Sequence, residues 1–127
     1  MTTPRMLLVD DQATILAPLV DYFTTLGWQV VATQEFEEAA ALLETLTFDL
    51  LLTDVRLGGI HSHEGLELLA VVRARGLATR VVLMTGYGSP LVQEEAVRLG
   101  ADAVLLKPVP LSTLAAAAVA PASAVRG

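Results

Sequence analysis

Short runs of large apolar residues alternate along this chain with stretches whose apolar positions recur every three to four residues. The first run, Met6-Leu7-Leu8-Val9, stops at Asp10-Asp11. Another, Leu50-Leu51-Leu52-Thr53-Asp54-Val55, dissolves into Arg56-Leu57-Gly58-Gly59. Apolar residues at successive positions, bounded by turn signals, predict a strand buried on both faces, as in a parallel sheet. Trp28 to Thr33, Arg80 to Thr85 and Ala103 to Leu106 read as three further strands, the last broken by Lys107-Pro108-Val109-Pro110.

The intervening stretches have a helical period. Thr14 suits the cap of a helix running to about Leu26, with Gly27 as its stop. Pro18 falls early enough in it to remove few or no internal hydrogen bonds. Phe36, Ala39, Ala40, Leu43 and Leu46 make a second stripe, with Glu37, Glu38 and Glu44 off it. A third helix spans Glu64 to Arg75 and ends at Gly76; a fourth opens at Ser89-Pro90 and closes at Gly100. An alanine-rich helix from Ser112 to Ala120 ends at Pro121. Five strands alternating with five helices predict an α/β fold: a doubly wound parallel sheet with right-handed crossovers and helices on both faces. One domain over residues 1–120 and a loose tail over 121–127 complete the expectation.

Composition narrows the function. At 54% hydrophobic the chain has material for a core, and its 127 residues suit one domain. A formal charge of −6 argues against direct nucleic-acid binding, which rests on neutralising phosphates. The absence of cysteine removes disulfides, thiol nucleophiles and zinc-thiolate sites. No signal peptide or membrane-length apolar run is visible, so a cytoplasmic chain without a membrane role is expected.

The strand ends carry the chemistry. Asp10-Asp11, Asp54, Thr85 and Lys107 each stand where a strand runs out, and a doubly wound sheet gathers such ends at one crevice. Carboxylates gathered there repel one another unless a cation lies among them. Hard oxygen donors with access to water suit Mg²⁺, for which Mn²⁺ can substitute. A hydroxyl and an ammonium opposite them suit a phosphoryl group. Lys107 is moreover the one lysine in the chain, a compact ammonium where arginine is used elsewhere.

The chain resembles the receiver domain of two-component response regulators over nearly its whole length. The matching pieces are Leu8-Val9-Asp10-Asp11, Leu51-Leu52-Thr53-Asp54, Gly65-Leu66-Glu67-Leu68-Leu69, Met84-Thr85-Gly86 and Gly100-Ala101-Asp102 followed by Leu106-Lys107-Pro108. The resemblance implies a flavodoxin-like (βα)5 sandwich with strand order 2-1-3-4-5. It implies Asp54 as phosphoacceptor from a phosphohistidine on a sensor histidine kinase or phosphotransfer protein. Asp10, Asp11, Asp54 and the Arg56 backbone carbonyl would hold Mg²⁺, while Thr85 and Lys107 would bind phosphoryl oxygens. It further implies a cis Lys107-Pro108 peptide, Mg²⁺-dependent self-phosphorylation from a small donor, and slow autodephosphorylation tuned by Arg56 and Tyr87. A downstream protein would dock on the face made by the fourth helix, fifth strand and fifth helix. The chain would be a stand-alone receiver, a phosphorelay intermediate or a piece of a larger protein such as a hybrid kinase.

Two departures stand out. Gly58 replaces the proline usual after the acceptor, and the following loop is three residues longer, through Gly59-Ile60-His61-Ser62-His63. Val104 occupies the place of the aromatic residue that many receivers carry before the lysine. Simpler roles are expected elsewhere: Asp49 and Asp102 as solvated loop residues, Asp21, Glu35, Glu37, Glu38, Glu94 and Glu95 as solvated faces, His61 and His63 as exposed loop histidines. Competing functions are a small phosphatase using an aspartyl-phosphate, which typically needs Asp-x-Asp on one strand, and an FMN binder, whose phosphate Asp10-Asp11 would repel. An atypical receiver that acts by binding, without phosphorylation, is a further alternative.

Overall fold

The computed structural model describes residues 3–57, 63–86 and 90–119. Along them run β1 (Arg5–Val9), α1 (Ala13–Thr25), β2 (Gln29–Thr33), α2 (Phe36–Thr45) and β3 (Leu50–Asp54). Then come α3 (Glu64–Ala74), β4 (Arg80–Thr85), α4 (Pro90–Arg98), β5 (Ala103–Leu106) and α5 (Leu111–Val119). The strands form one sheet in the order β2-β1-β3-β4-β5, all neighbours parallel, which is the doubly wound order expected.

Alternation along the strands builds two cores. Leu7 and Val9 of β1 and Leu51 of β3 face one side, against Ala39 and Leu43 of α2, Leu69 and Val72 of α3 and Ala96 of α4. Met6, Leu8, Leu50 and Leu52 face the other, against Leu16, Leu19 and Phe23 of α1 and Leu114 and Ala118 of α5. Every residue of β3 is buried, because helices cover both of its faces. Each leucine so enclosed contributes about 1.5–3 kcal/mol. Phe23 meets the Tyr22 and Trp28 rings edge-on at 5.6 and 6.3 Å, closing the second core where aromatics are few.

The ends of elements depart modestly from the sequence expectation. Thr14 is not the cap of α1: the helix begins at Ala13 with Gln12 as N-cap and no side-chain cap. Asp10 does the turning instead. Its Oδ1 accepts the Gln12 N–H at 2.9 Å, and the Gln12 carbonyl then receives Ile15 and Leu16 at 3.0 and 3.2 Å. Pro18 lies within α1, one turn past its start. Gly27 and Gly76 close α1 and α3 with φ of 98° and 69°, a conformation a side chain would strain. The fifth helix runs from Leu111, one residue earlier than expected, because Thr113 and Leu114 both donate to the Pro110 carbonyl. Ser89, the residue expected to cap α4, lies outside the described residues, as does the 121–127 tail.

Candidate functional site

The site is assembled at the carboxyl edge of the three central strands. β1 runs straight into Asp10, which is fully buried; β3 ends on Asp54, 8% exposed; β4 ends on Thr85, 3% exposed. Parallel register places them in one neighbourhood. Val9 pairs with Thr53 and Asp54 with Met84, so Asp10, Asp54 and Thr85 stand at one level of the sheet. Lys107 follows β5, and its backbone N–H donates to the Thr85 carbonyl at 2.8 Å. The Lys107–Pro108 peptide is cis.

The side chain of Lys107 crosses the sheet edge to the acids. Its Nζ donates to Asp54 Oδ2 at 2.5 Å and to Asp10 Oδ2 at 3.1 Å. The remaining carboxylate oxygens take backbone donors: Asp10 Oδ1 from Gln12, and Asp54 Oδ1 from Arg56 at 3.0 Å. Each carboxylate is thus fixed by one ammonium and one amide. Asp11 joins them from the exposed side, and one ligand oxygen from each of Asp10, Asp11 and Asp54 lies within 4.8 Å of the others. Its main chain is anchored across the turn, where Gln34 Nε2 donates to the Asp11 carbonyl at 3.3 Å.

Electrostatics follows from this crowding. Partial burial, then repulsion from Asp10 and Asp54, holds the Asp11 carboxyl above the usual carboxylate range although the residue is exposed as a whole. For Lys107, burial works to lower the ammonium's pKa. Hydrogen bonds and charge attraction from Asp54 and then Asp10 outweigh it, and the net shift is upward. The lysine therefore stays charged, and one ammonium faces three carboxylates. That excess of hard anionic oxygen is what a small divalent cation neutralises, so the donor set fits Mg²⁺ or Mn²⁺.

Gly65 brings α3 onto the same turn. Val55 donates its N–H to the Met84 carbonyl at 2.9 Å and accepts the Gly65 N–H at 2.9 Å, so the peptide after Asp54 is held from both sides. In the sequence Gly65 stands out only as the first residue of Gly65-Leu66-Glu67-Leu68-Leu69, one of the strings that resemble the receiver family. The contact is made across the connection between β3 and α3, and no local pattern announces it.

Other placements follow. Tyr87, Gly58 and His61 lie outside the described residues; His63 is exposed and precedes α3. Val104 pairs with Leu83 and packs beside the core under α2, α3 and α4. Asp49 is exposed but tied down: its Oδ2 accepts the Arg5 N–H at 2.8 Å. Asp102 is not a solvated loop residue. Its Oδ2 accepts the N–H of the fully buried Val81 at 2.8 Å and pairs with Arg73 at 3.1 Å; its Oδ1 lies 3.9 Å from Arg80. Arg73 also donates to the carbonyls of Gly100 and Thr79, so this cluster ties α3 to β4 and the α4–β5 turn. Arg73 stands 29 positions before Asp102, so nothing local in the sequence links the two.

Comparison with known proteins agrees with this architecture. The family model for the response regulator receiver domain matches residues 6–119. The alginate biosynthesis transcriptional regulatory protein AlgB of Pseudomonas aeruginosa is 35% identical over 104 residues, covering 82% of this chain and 22% of that protein. The Regulator of RpoS of Escherichia coli is 33% identical over 113 residues, covering 86% and 33%. The chain thus spans between a fifth and a third of these two relatives. Among solved structures, a CheY-like receiver domain protein from Methanospirillum hungatei superposes with a TM-score of 0.81 at 29% identity, covering 90% and 89% of the two chains. A Burkholderia pseudomallei response regulator, solved with a phosphorylated aspartic acid, calcium ion and citrate, gives 0.83 at 27% identity, covering 97% and 71%. The chain belongs to the response regulator receiver domain family.

Proposed function

We propose that this domain is a phosphorylatable switch whose acceptor is Asp54. The observation that carries the reading is the Lys107 ammonium, which bridges Asp54 at 2.5 Å and Asp10 at 3.1 Å beside a third carboxylate. Receiver domains take their phosphoryl group from sensor kinases or phosphotransfer proteins, and the donor here is a phosphohistidine on such a partner. An Asp54 carboxylate oxygen attacks phosphorus; an O–P bond forms, the P–N bond to imidazole breaks, and the imidazole nitrogen takes a proton. Lys107 exchanges its contact with Asp54 for one with a phosphoryl oxygen, and the Thr85 hydroxyl binds another. The Arg56 N–H holds the carboxylate oriented for attack. Asp10, Asp11, Asp54 and the Arg56 carbonyl would hold Mg²⁺, whose charge offsets that of the phosphoryl oxygens and lets one anion approach another.

The acyl phosphate changes the charge that Lys107 and Thr85 answer to, and this biases the partner surface between two arrangements. That surface is α4, β5 and α5, where Leu91, Val97, Leu106, Leu111 and Val119 are exposed. Arg56 and Tyr87 would set the lifetime of the acyl phosphate. No described helix is long and apolar enough to cross a membrane. Incubation with Mg²⁺ and acetyl phosphate, followed by intact mass, tests the reading. It predicts a single phosphate-sized gain that EDTA prevents and that Asp54→Asn lacks; no gain, or a gain that survives Asp54→Asn, would refute it.

A further inference from the structure

We propose that Gly65 is a positioning residue for Asp54: its missing side chain lets the first turn of α3 press directly on the peptide carrying the acceptor. The inference rests on the phosphoacceptor reading above. A Cβ at Gly65 would lie 2.2 Å from the Asp54 carbonyl oxygen, 2.8 Å from Val55 Cα and 2.9 Å from the Asp54 carbonyl carbon. All three are backbone atoms, so no rotamer change relieves the overlap. Even alanine would require the turn and the helix to separate by about 1 Å to reach ordinary contact.

That separation acts on the carboxylate. On the β4 side the turn is fixed by Val55 N–H to Met84, and on the α3 side by Gly65 N–H to the Val55 carbonyl, both at 2.9 Å. The Asp54 side chain is oriented from within the same turn, through Oδ1 on the Arg56 N–H, while Oδ2 reaches Lys107 at 2.5 Å. A shift of the 54–56 backbone therefore changes where the attacking oxygen stands relative to Lys107 and Asp10. It also moves the Arg56 carbonyl, the proposed cation ligand outside the acidic trio. Asp10 and Asp11, on the β1 side, stay where they are. The signature of Gly65 is thus a joint loss of cation affinity and acceptor reactivity, beyond any loss of stability.

Wild type, Gly65→Ala and Val72→Ala separate these effects. Val72 is fully buried in the last turn of α3, at the end of the helix opposite Gly65, and its truncation reports destabilisation alone. Three quantities are read: the urea midpoint, the Mg²⁺ concentration giving half of the Mg²⁺-induced rise in Tm, and the rate of mass gain from acetyl phosphate at saturating Mg²⁺. Gly65→Ala is expected to slow the mass gain by about 10- to 100-fold, the scale of an ångström-sized misplacement. Its half-saturating Mg²⁺ should rise by about fivefold or more, whereas Val72→Ala should stay within about twofold of wild type in both despite a lower urea midpoint. Wild-type values in Gly65→Ala, or equal losses in Val72→Ala, overturn the proposal. So does a Gly65→Ala chain that fails to fold even in trimethylamine N-oxide, because glycine would then serve folding and not the acceptor. A wild type that shows neither response removes the phosphoacceptor reading itself, and this inference with it.

Discussion

Replacing Asp102 by alanine should destabilise the fold by about 2–3 kcal/mol, far more than loss of a solvated loop charge. The larger part comes from the Val81 N–H. It is fully buried and its acceptor is Asp102 Oδ2 at 2.8 Å, so truncation leaves a buried donor unsatisfied at a cost of about 1–3 kcal/mol. The ion pair adds less. Arg73 and Asp102 side chains are 28% and 22% exposed, which limits their pairing to about 1 kcal/mol or below. Arg80, at 3.9 Å, adds little. Urea titration followed by far-UV circular dichroism should show the midpoint falling by about 1 M or more with little change in slope. Asp102→Asn keeps an oxygen acceptor and loses only charge, so it should cost about 1 kcal/mol or less. An Asp102→Ala variant within about 0.5 kcal/mol of wild type would refute the reasoning and return Asp102 to the solvent-facing role its sequence context suggests.

Three further outcomes follow from the acidic site. Asp11→Asn relieves repulsion among three crowded carboxylates, so it should raise the Tm of the metal-free protein while abolishing the rise that Mg²⁺ produces. Lys107→Met leaves the buried Asp10 and Asp54 without their shared ammonium; about 2–4 kcal/mol of stability should be lost in EDTA by urea titration, and Mg²⁺ should restore part of it. With its pKa raised on folding, Asp11 contributes stability that is complete below about pH 4 and lost as pH rises through the raised value. The Tm increment from Mg²⁺ should therefore be small at pH 4 and grow toward pH 7, as read by thermal melts with Mg²⁺ and with EDTA. Lys107, raised instead from the lysine range, keeps its contribution throughout that window and loses it only in strong alkali.

Much of this architecture is legible in the sequence because it is local. The run at Leu50–Asp54 predicts a strand covered on both faces, and the glycines at 27 and 76 mark where helices must stop. The parallel alternation also predicts that Asp10, Asp54, Thr85 and Lys107 end on one edge. What escapes is whatever depends on which loops the crossovers bring together. Asp102 is separated from Arg73 by 29 positions and from Val81 by 21, so its loop composition reads as solvent-facing while its geometry does not. Thr14 loses the cap position to Gln12 because Asp10, one of the site's own acids, already bends the chain there. Gly65 looks like one glycine among nine until the Asp54 carbonyl is found against it.

The central claim is that the Asp54 carboxylate itself accepts the phosphoryl group. Borohydride reduction of protein treated with Mg²⁺ and acetyl phosphate, followed by peptide mass spectrometry, tests it at the level of one residue. An acyl phosphate is reduced to the alcohol, so the account predicts homoserine at position 54 and aspartate retained at Asp10 and Asp11. Homoserine at either of those positions, or an unreduced Asp54 in protein that has gained phosphate, would contradict it.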